Sequence, residues 1–562
     1  MRKVNPELEP EPPRSTPLLV LPRKQRMAVT AGVMTGMFLA ALEATVVGTA
    51  MPTVIAVLGG LQHYSWVFSA YLLTSTVTVP VWGKLSDLYG RRRLFQLGVG
   101  IFLLGSVLSG FSNSMFQLIV FRAIQGLGAG ALVPLAMTII GDIYTLQERA
   151  RMQALFSGVW GFASIVGPII GGFLTDQLSW RWVFFINIPF GLASSVIIGA
   201  SLKEPKLQQR PQIDYMGAIT LMSSVTLLML ALVESGTVQS LFTVRNLLLM
   251  AGSALLAIIF VRIELSAKEP ILPFSLFRNR VVSISVSAGF LIGIAMFGSI
   301  SFIPLYAQGT RGATATEAGS LLTPLMLSWV TLSVIGGRFL LKAGYRPTVI
   351  AGCFLLTIAF ALLSTFDAST SATLLYLDLV LIGAGLGLTM LTLLIAVQQA
   401  VPREILGTAT SLNQFSRSIG GAIGVAIMGA FLSAGMGKFL HDVANHPGAV
   451  ITSQDADQLA ANPNSLIDPI ERAKIPPQKL QVLQNALSQG LKHVFRLGMI
   501  AAVVALLIVF WLPKKITSRI GEAAMPPPAK ACDAKTGERL VVAELTTIDP
   551  EHEPAAVEDD EL

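Results

Sequence analysis

The sequence predicts an all-α integral membrane protein of two pseudo-symmetric six-helix bundles with two extra helices between them, fourteen spans in all. Three observations predict this class. Of 562 residues, 53% are hydrophobic and only 13% charged, with a mean hydropathy of +0.66, outside the range of soluble domains. The apolar residues gather in runs long enough to cross a bilayer. Short stretches of the first part of the chain recur in the last part at a nearly fixed offset.

Runs of roughly 18 to 25 residues are read as spanning helices. Six lie near 27–50, 64–82, 94–111, 115–141, 151–174 and 182–201, two near 214–234 and 243–263, and six near 281–307, 314–341, 346–365, 371–400, 404–432 and 491–512. The domains are then a cytoplasmic segment 1–26, a bundle 27–201, two additional helices with linkers over 202–279, and a second bundle 280–512. Inside that second bundle the polar stretch 435–490 reads as an extracytoplasmic loop, whose end, QKLQVLQNALSQGLKHVF, is helical and enters the last span. The tail 513–562, with Pro526 to Pro528 and a terminal EDDEL, reads as disordered. The proline-rich, charged N-terminus has no cleavable signal pattern, so the first span is retained.

Orientation follows from the basic residues of the short loops. Lys84 and Arg91 to Arg93, Arg149 and Arg151, Lys203, Lys206 and Arg210, Arg262, Lys268, Arg278 and Arg280, Lys342 and Arg346, and Arg403 all fall on one side. The opposite loops, such as 59–63 and 110–117, carry almost none. Both termini are therefore placed in the cytoplasm and the chain in the cytoplasmic membrane. The net charge of +7 comes from these clusters and gives no nucleic-acid-binding face. Cys353 and Cys532 form no disulfide framework, and five histidines show no metal spacing. No Walker A sequence, nucleophile elbow or cofactor motif is found, so neither an enzyme nor an ATP-driven pump is expected.

The repeat lies in two places. Gly83, Gly90 and Arg92 of GKLSDLYGRRRLF match Gly337, Gly344 and Arg346 of GRFLLKAGYRPTV at one offset, and QGLGAGALVP from Gln125 matches IGAGLGLTML from Ile382 at nearly that offset. A duplicated six-helix unit suits two halves that rock about a central site, which makes a transporter the expected class. In the second copy Leu341 stands where Asp87 stands in the first.

GKLSDLYGRRRLF resembles the loop motif of the major facilitator superfamily, between its second and third spans. LEATVVGTAMPTV (Leu42 to Val54), LIVFRAIQGLGAGALVP (Leu118 to Pro134), GVWGFASIVGPIIGG (Gly158 to Gly172) and SWRWVFFINIPFG (Ser179 to Gly191) resemble segments of its drug:proton antiporters with fourteen spans. The resemblance covers roughly Arg26 to Leu512 and implies a proton-coupled exporter of lipophilic, cationic compounds, acting as a monomer in contact with membrane lipid. It associates Glu43 with proton coupling and cation recognition, Arg122 with proton translocation, and the glycine pattern Gly158, Gly167, Pro168, Gly171 and Gly172 with exchange.

The same residues have a physical reading. Gly83 and Gly90 permit a tight turn and close helix approach, and Asp87 is suited to accept hydrogen bonds at the start of a facing helix near Arg403 and Glu404. Arg91 and Arg92 orient the loop, meet anionic lipid, or join that latch. Glu43 lies about 25 Å along its helix from Arg26, where an ionised side chain costs at least roughly 2.5 to 3.5 kcal/mol. Arg122 is its natural counter-charge, and Gln125, three residues on, shares that face. Asp378 is either a second intramembrane acid or a residue of the membrane edge, and Arg417 is placed to balance Asp378 or Glu43. Asp142 and Asp214 fit interface or cap roles. The fifth-span glycines remove side-chain bulk and Pro168 one backbone bond, giving a bendable helix. The two alternatives to drug export are export of a lipid, siderophore or metabolite, and a non-transporting sensor.

Overall fold

A computed structural model of the chain describes residues 21–58, 64–204, 214–234, 243–313, 321–367, 369–445 and 475–513, with 317, 451, 452 and 456. The first set of helices is α1 (Arg23–Leu58), α2 (Tyr64–Tyr89), α3 (Arg91–Gly110), α4 (Met115–Ile143), α5 (Leu146–Gln177) and α6 (Trp182–Ser201), the last interrupted at Ile186. Next come α7 (Tyr215–Glu234) and α8 (Val244–Ser266). The second set is α9 (Arg280–Arg311), α10 (Leu322–Ala343), α11 (Tyr345–Leu363), α12 (Ala372–Ala400), α13 (Leu406–Ala444) and α14 (Pro477–Val509).

Among the described residues, 12 helices are long and apolar enough to cross a membrane; α2 and α5 are not among them. The expected fourteen spans exceed that number. In α2 the apolarity is diluted by hydroxyls that bond to protein: Thr74 donates to Ala123 O at 2.9 Å and Thr78 to Leu127 O at 3.4 Å, both on α4. The helix α13 runs to Ala444, into the stretch read as a loop, and α14 begins at Pro477. Most of the loop between them, the first 20 residues and everything beyond Pro513 lie outside the described residues.

The two sets pack alike. In the first, α1 contacts α4, α5 and α6, while α4 contacts α2 and α3, and α3 contacts α6. In the second, α9 contacts α12, α13 and α14, while α12 contacts α10 and α11, and α11 contacts α14. Lipid supplies little drive for helices to associate, so close backbone packing has to supply it. Glycine rows do this in both halves. A Cβ added at Gly130 would lie 2.6 Å from Ser75 O, and one at Gly387 2.6 Å from Trp329 O. Gly128 and Gly385 meet Gly98 O and Gly352 O in the same manner, at 2.5 and 2.8 Å. Even the threaded hydroxyl repeats, since Ser328 donates to Val380 O at 2.7 Å as Thr74 does to Ala123 O.

Across the middle, α2 packs on α13 and α5 on α10, a two-fold exchange of equivalent helices. The central pair α7 and α8 is pinned by reciprocal bonds, Ser224 Oγ to Ser253 O and Ser253 Oγ to Ser224 O, each 2.8 Å. That pair rests against α2 and α13 through α7.

Candidate functional site

Glu43 sits inside the first bundle, 1% exposed, and forms an ion pair with Arg122, 2% exposed. The other carboxylate oxygen accepts from Asn187 Nδ2 at 2.5 Å. Arg122 also donates to Gln125 Oε1 at 2.7 Å and to Val67 O at 3.3 Å, and lies 4.2 Å from the centre of the Tyr71 ring. Ser106 closes the network. Its hydroxyl accepts from Asn187 Nδ2 at 2.9 Å and Gln125 Nε2 at 3.3 Å, and donates to Phe184 O at 2.8 Å. Five helices thus enclose one carboxylate with charge-matched and neutral donors, the arrangement that makes a buried ion tolerable.

The second cluster joins the bundles at the loop between α2 and α3. Asp87 accepts from the backbone N–H of Gly407 at 2.8 Å and of Thr408 at 2.7 Å, and from the Thr408 hydroxyl at 2.7 Å. These are first-turn donors of α13, where a carboxylate is favoured by unpaired amides and helix dipole together. The start of α13 has no side-chain cap of its own, whereas α5 begins with a capping box from Thr145 and Glu148. Asp87 therefore caps α13 from the other half. Gly83 allows the approach, since a Cβ there would lie 2.8 Å from Gly407 O.

Arg91 completes the lock. It pairs with Asp87 at 2.6 Å and Asp142 at 3.1 Å and donates to Ser86 O at 2.7 Å and Arg403 O at 3.2 Å. Lys84 pairs with Glu269 at 2.8 Å. Neither residue is simply a lipid-facing orientation signal. Gly90 has φ +93° and its copy Gly344 φ +89°, conformations that favour glycine. Over Gly90, Glu204 accepts from the backbone N–H of Arg91 at 2.7 Å and of Arg92 at 3.2 Å, capping α3.

In α5, Gly171 packs on α1, where an added Cβ would lie 2.9 Å from Val46 O, and Gly167 packs on Thr45. Gly158 and Gly172 have nothing within 4 Å, so close packing explains only half the pattern. The side chain of Pro168 lies outside the described residues. Asp378 is fully buried in α12, and both carboxylate oxygens lack a hydrogen-bond partner. Seven positions on, along the same stripe of the helix, Gly385 packs on Leu356 and Gly352 of α11, so Asp378 faces the interior of its own bundle. Arg417 bonds to Gln414 and to Met390 Sδ, the latter at 3.1 Å. Met390 lies twelve residues, about 18 Å, along α12 from Asp378, and Glu43 is already held by Arg122 and Asn187. The expectation that Arg417 balances one of these acids is therefore corrected.

Residues 33–425 match the family model described as Major Facilitator Superfamily. The chain belongs to that superfamily. The multidrug transporter protein MdtP of Bacillus subtilis is 37% identical over 516 residues, covering 89% of this chain and 95% of that one. Multidrug resistance protein 3 of the same bacterium is 35% identical over 486 residues, covering 86% and 95%. Among solved structures, the human organic anion transporter MFSD10 superposes with a TM-score of 0.56 at 15% identity over 87% of this chain and all of that one. The proton:xylose symporter XylE superposes with a TM-score of 0.54 at 14% identity over 87% and 96%. The protein is a multi-pass major facilitator transporter related to multidrug efflux proteins, and not an enzyme.

Sequence reasoning paired Glu43 with Arg122 and Gln125 but missed the other half of this transporter's network. Asn187 was legible as a lone amide within the apolar FFINIPF, and Ser106 as a hydroxyl inside a long apolar span. Tyr71 stacks on Arg122, and Met37 is wholly buried in the first bundle's core. Glu204 carried no local signal, because its partner amides lie across the fold. Among the described residues no group of three or more metal-ligating side chains forms.

Proposed function

We infer that the protein is a proton-driven antiporter of fourteen spans. It acts as a monomer in the cytoplasmic membrane, with both termini in the cytoplasm, and exports lipophilic, cationic drugs by alternating access. The enclosed Glu43 carboxylate carries the reading. Protonation there removes the charge that Arg122 answers, freeing the guanidinium to rearrange against Gln125 and Tyr71, and so ties a proton to the packing of α1, α4 and α6. Drug binding between the halves is the opposing event, favouring the state in which Glu43 has lost its proton. A membrane potential supplies roughly 2.3 kcal/mol per charge per 100 mV for the exchange.

The Asp87 lock supports a closed cytoplasmic side in the conformation described, with opening requiring its rupture. Helices α2 and α5, 26 and 32 residues long, exceed the ~20 residues a bilayer needs and pack between spanning neighbours, which supports fourteen spans. The kinship to multidrug transporters supports drugs over a single metabolite. The deciding experiment is proton release evoked by a cationic drug from detergent-purified protein. Release is expected in the native protein and absent in Glu43→Gln; equal release in both removes Glu43 from this role.

A further inference from the structure

Arg417 is left without a counter-charge. Among the described residues it forms no ion pair, and its two acceptors are the neutral Gln414 amide and the weak Met390 thioether. It stands eleven residues beyond the start of α13, about 16 Å into the bundle, where an arginine faces a cavity or a partner.

Its place relative to the seam is fixed by Thr410, seven residues earlier on the same stripe. Gln398 of α12 donates to Thr410 Oγ1 at 3.3 Å and to Met137 O of α4 at 3.3 Å. The halves meet there. Arg417, partly exposed, therefore stands about 10 Å farther along α13 than that closed contact, on the side where α12 meets the other half. One turn nearer the seam, Asn413 Nδ2 is buried with no partner, beside Gly289 of α9 at 3.6 Å from an added Cβ. This stretch of α13 offers donors and a positive charge, and among the described residues no anion answers them. Glu43 is spoken for and Asp378 lies too far along α12.

We propose that Arg417 is a specificity-determining residue that binds an acidic group of the transported compound, so that among lipophilic cations those that also carry a carboxylate are preferred to their uncharged-acid analogues. This rests on the reading of the chain as an exporter with its site between the halves. A carboxylate matches the guanidinium fork with two parallel charge-assisted hydrogen bonds, and Gln414, held by Arg417, orients that fork. The substrate's positive charge is left free for the rest of the site between the halves.

The test compares two dyes that differ in one group: rhodamine 110, with a free carboxyl, and rhodamine 123, its methyl ester. Binding is followed by fluorescence anisotropy on the purified full chain in lipid nanodiscs. The native protein is expected to bind the acid about tenfold tighter than the ester, the size of a charged hydrogen-bond pair. Arg417→Gln should bring the two within about twofold by weakening the acid alone, and Arg417→Lys, which keeps the charge and loses the fork, should retain an intermediate preference. Equal binding of the two dyes by the native protein, or an undiminished preference in Arg417→Gln, overturns the proposal. The native comparison stands even where a variant misfolds, and ester binding reports on the fold of each variant. Because the preference is an equilibrium property, failure of drug-evoked proton release would reject antiport and leave this assignment to be judged by its own result.

Discussion

Replacing Asp87 by asparagine tests how firmly one side chain holds the halves together. In the closed state Oδ1 accepts from Gly407 N and pairs with Arg91, and Oδ2 accepts from Thr408 N and Thr408 Oγ1. Asparagine keeps one oxygen and turns the other position into a donor, so about two charge-assisted bonds across the seam are lost. Hydrogen bonds to charged groups contribute about 1.5 to 3 kcal/mol each. Part of that returns when water reaches the freed amides, which leaves a net cost of about 3 kcal/mol to the closed state. The ratio of closed to open protein then falls by roughly 100-fold. Spin labels on the exposed positions Arg93 and Glu404, in a chain whose two cysteines have been replaced, report the separation across the lock by electron–electron double resonance. The native protein should give one short distance, and Asp87→Asn a broad, longer population together with impaired export. An unchanged distance distribution with full transport at normal expression would refute the lock.

Further outcomes are expected elsewhere. Asn187→Leu removes the neutral donor to Glu43 and Ser106 and strands a buried carboxylate oxygen, at a cost of about 1 to 3 kcal/mol; the melting temperature should fall and drug-evoked proton release should change, whereas unaffected release would exclude Asn187 from the network. Gly90→Ala and Gly344→Ala both strain the backbone by about 1 to 3 kcal/mol, but only at Gly90 does the new methyl also collide with a side chain, that of Glu204, while Gly344 has open space. Thermal unfolding should therefore rank Gly90→Ala as the more damaging, and equal losses would contradict the capping role of Glu204. Gly128→Val drives bulk into the α3 backbone and should abolish folded, monodisperse protein in size-exclusion chromatography, whereas Gly158→Val, facing open space, should be tolerated.

Much of the architecture was legible because lipid simplifies the reading: an apolar run of sufficient length has few alternatives to a helix. The duplication was legible too, since the rows Gly126, Gly128, Gly130 and Gly383, Gly385, Gly387 must recur wherever two backbones touch. The ion pair of Glu43 with Arg122 followed from the cost of either charge alone. What escaped were contacts set by rotation of helices about their axes, which no linear pattern encodes in lipid: Asp378 turned into its own bundle, Arg417 turned to Met390 and not to a carboxylate, and Glu204 reaching a distant helix start. The hydroxyls of α2 lower its apolarity without making it a loop, since they are spent on a neighbouring backbone and not on water.

In the proposed cycle, the borrowed cap on α13 sets a direction of rest. Because α5 caps itself and Leu341 offers nothing to it, parting the equivalent helix ends on that side exposes no new amides, while parting α2 from α13 leaves a helix start bare. With the orientation proposed above, the empty protein waits shut toward the cytoplasm, and leak of ions or cargo back into the cell is suppressed by default. Entry of a compound from inside then becomes the gated step, and its rate depends on how often a single carboxylate lets go.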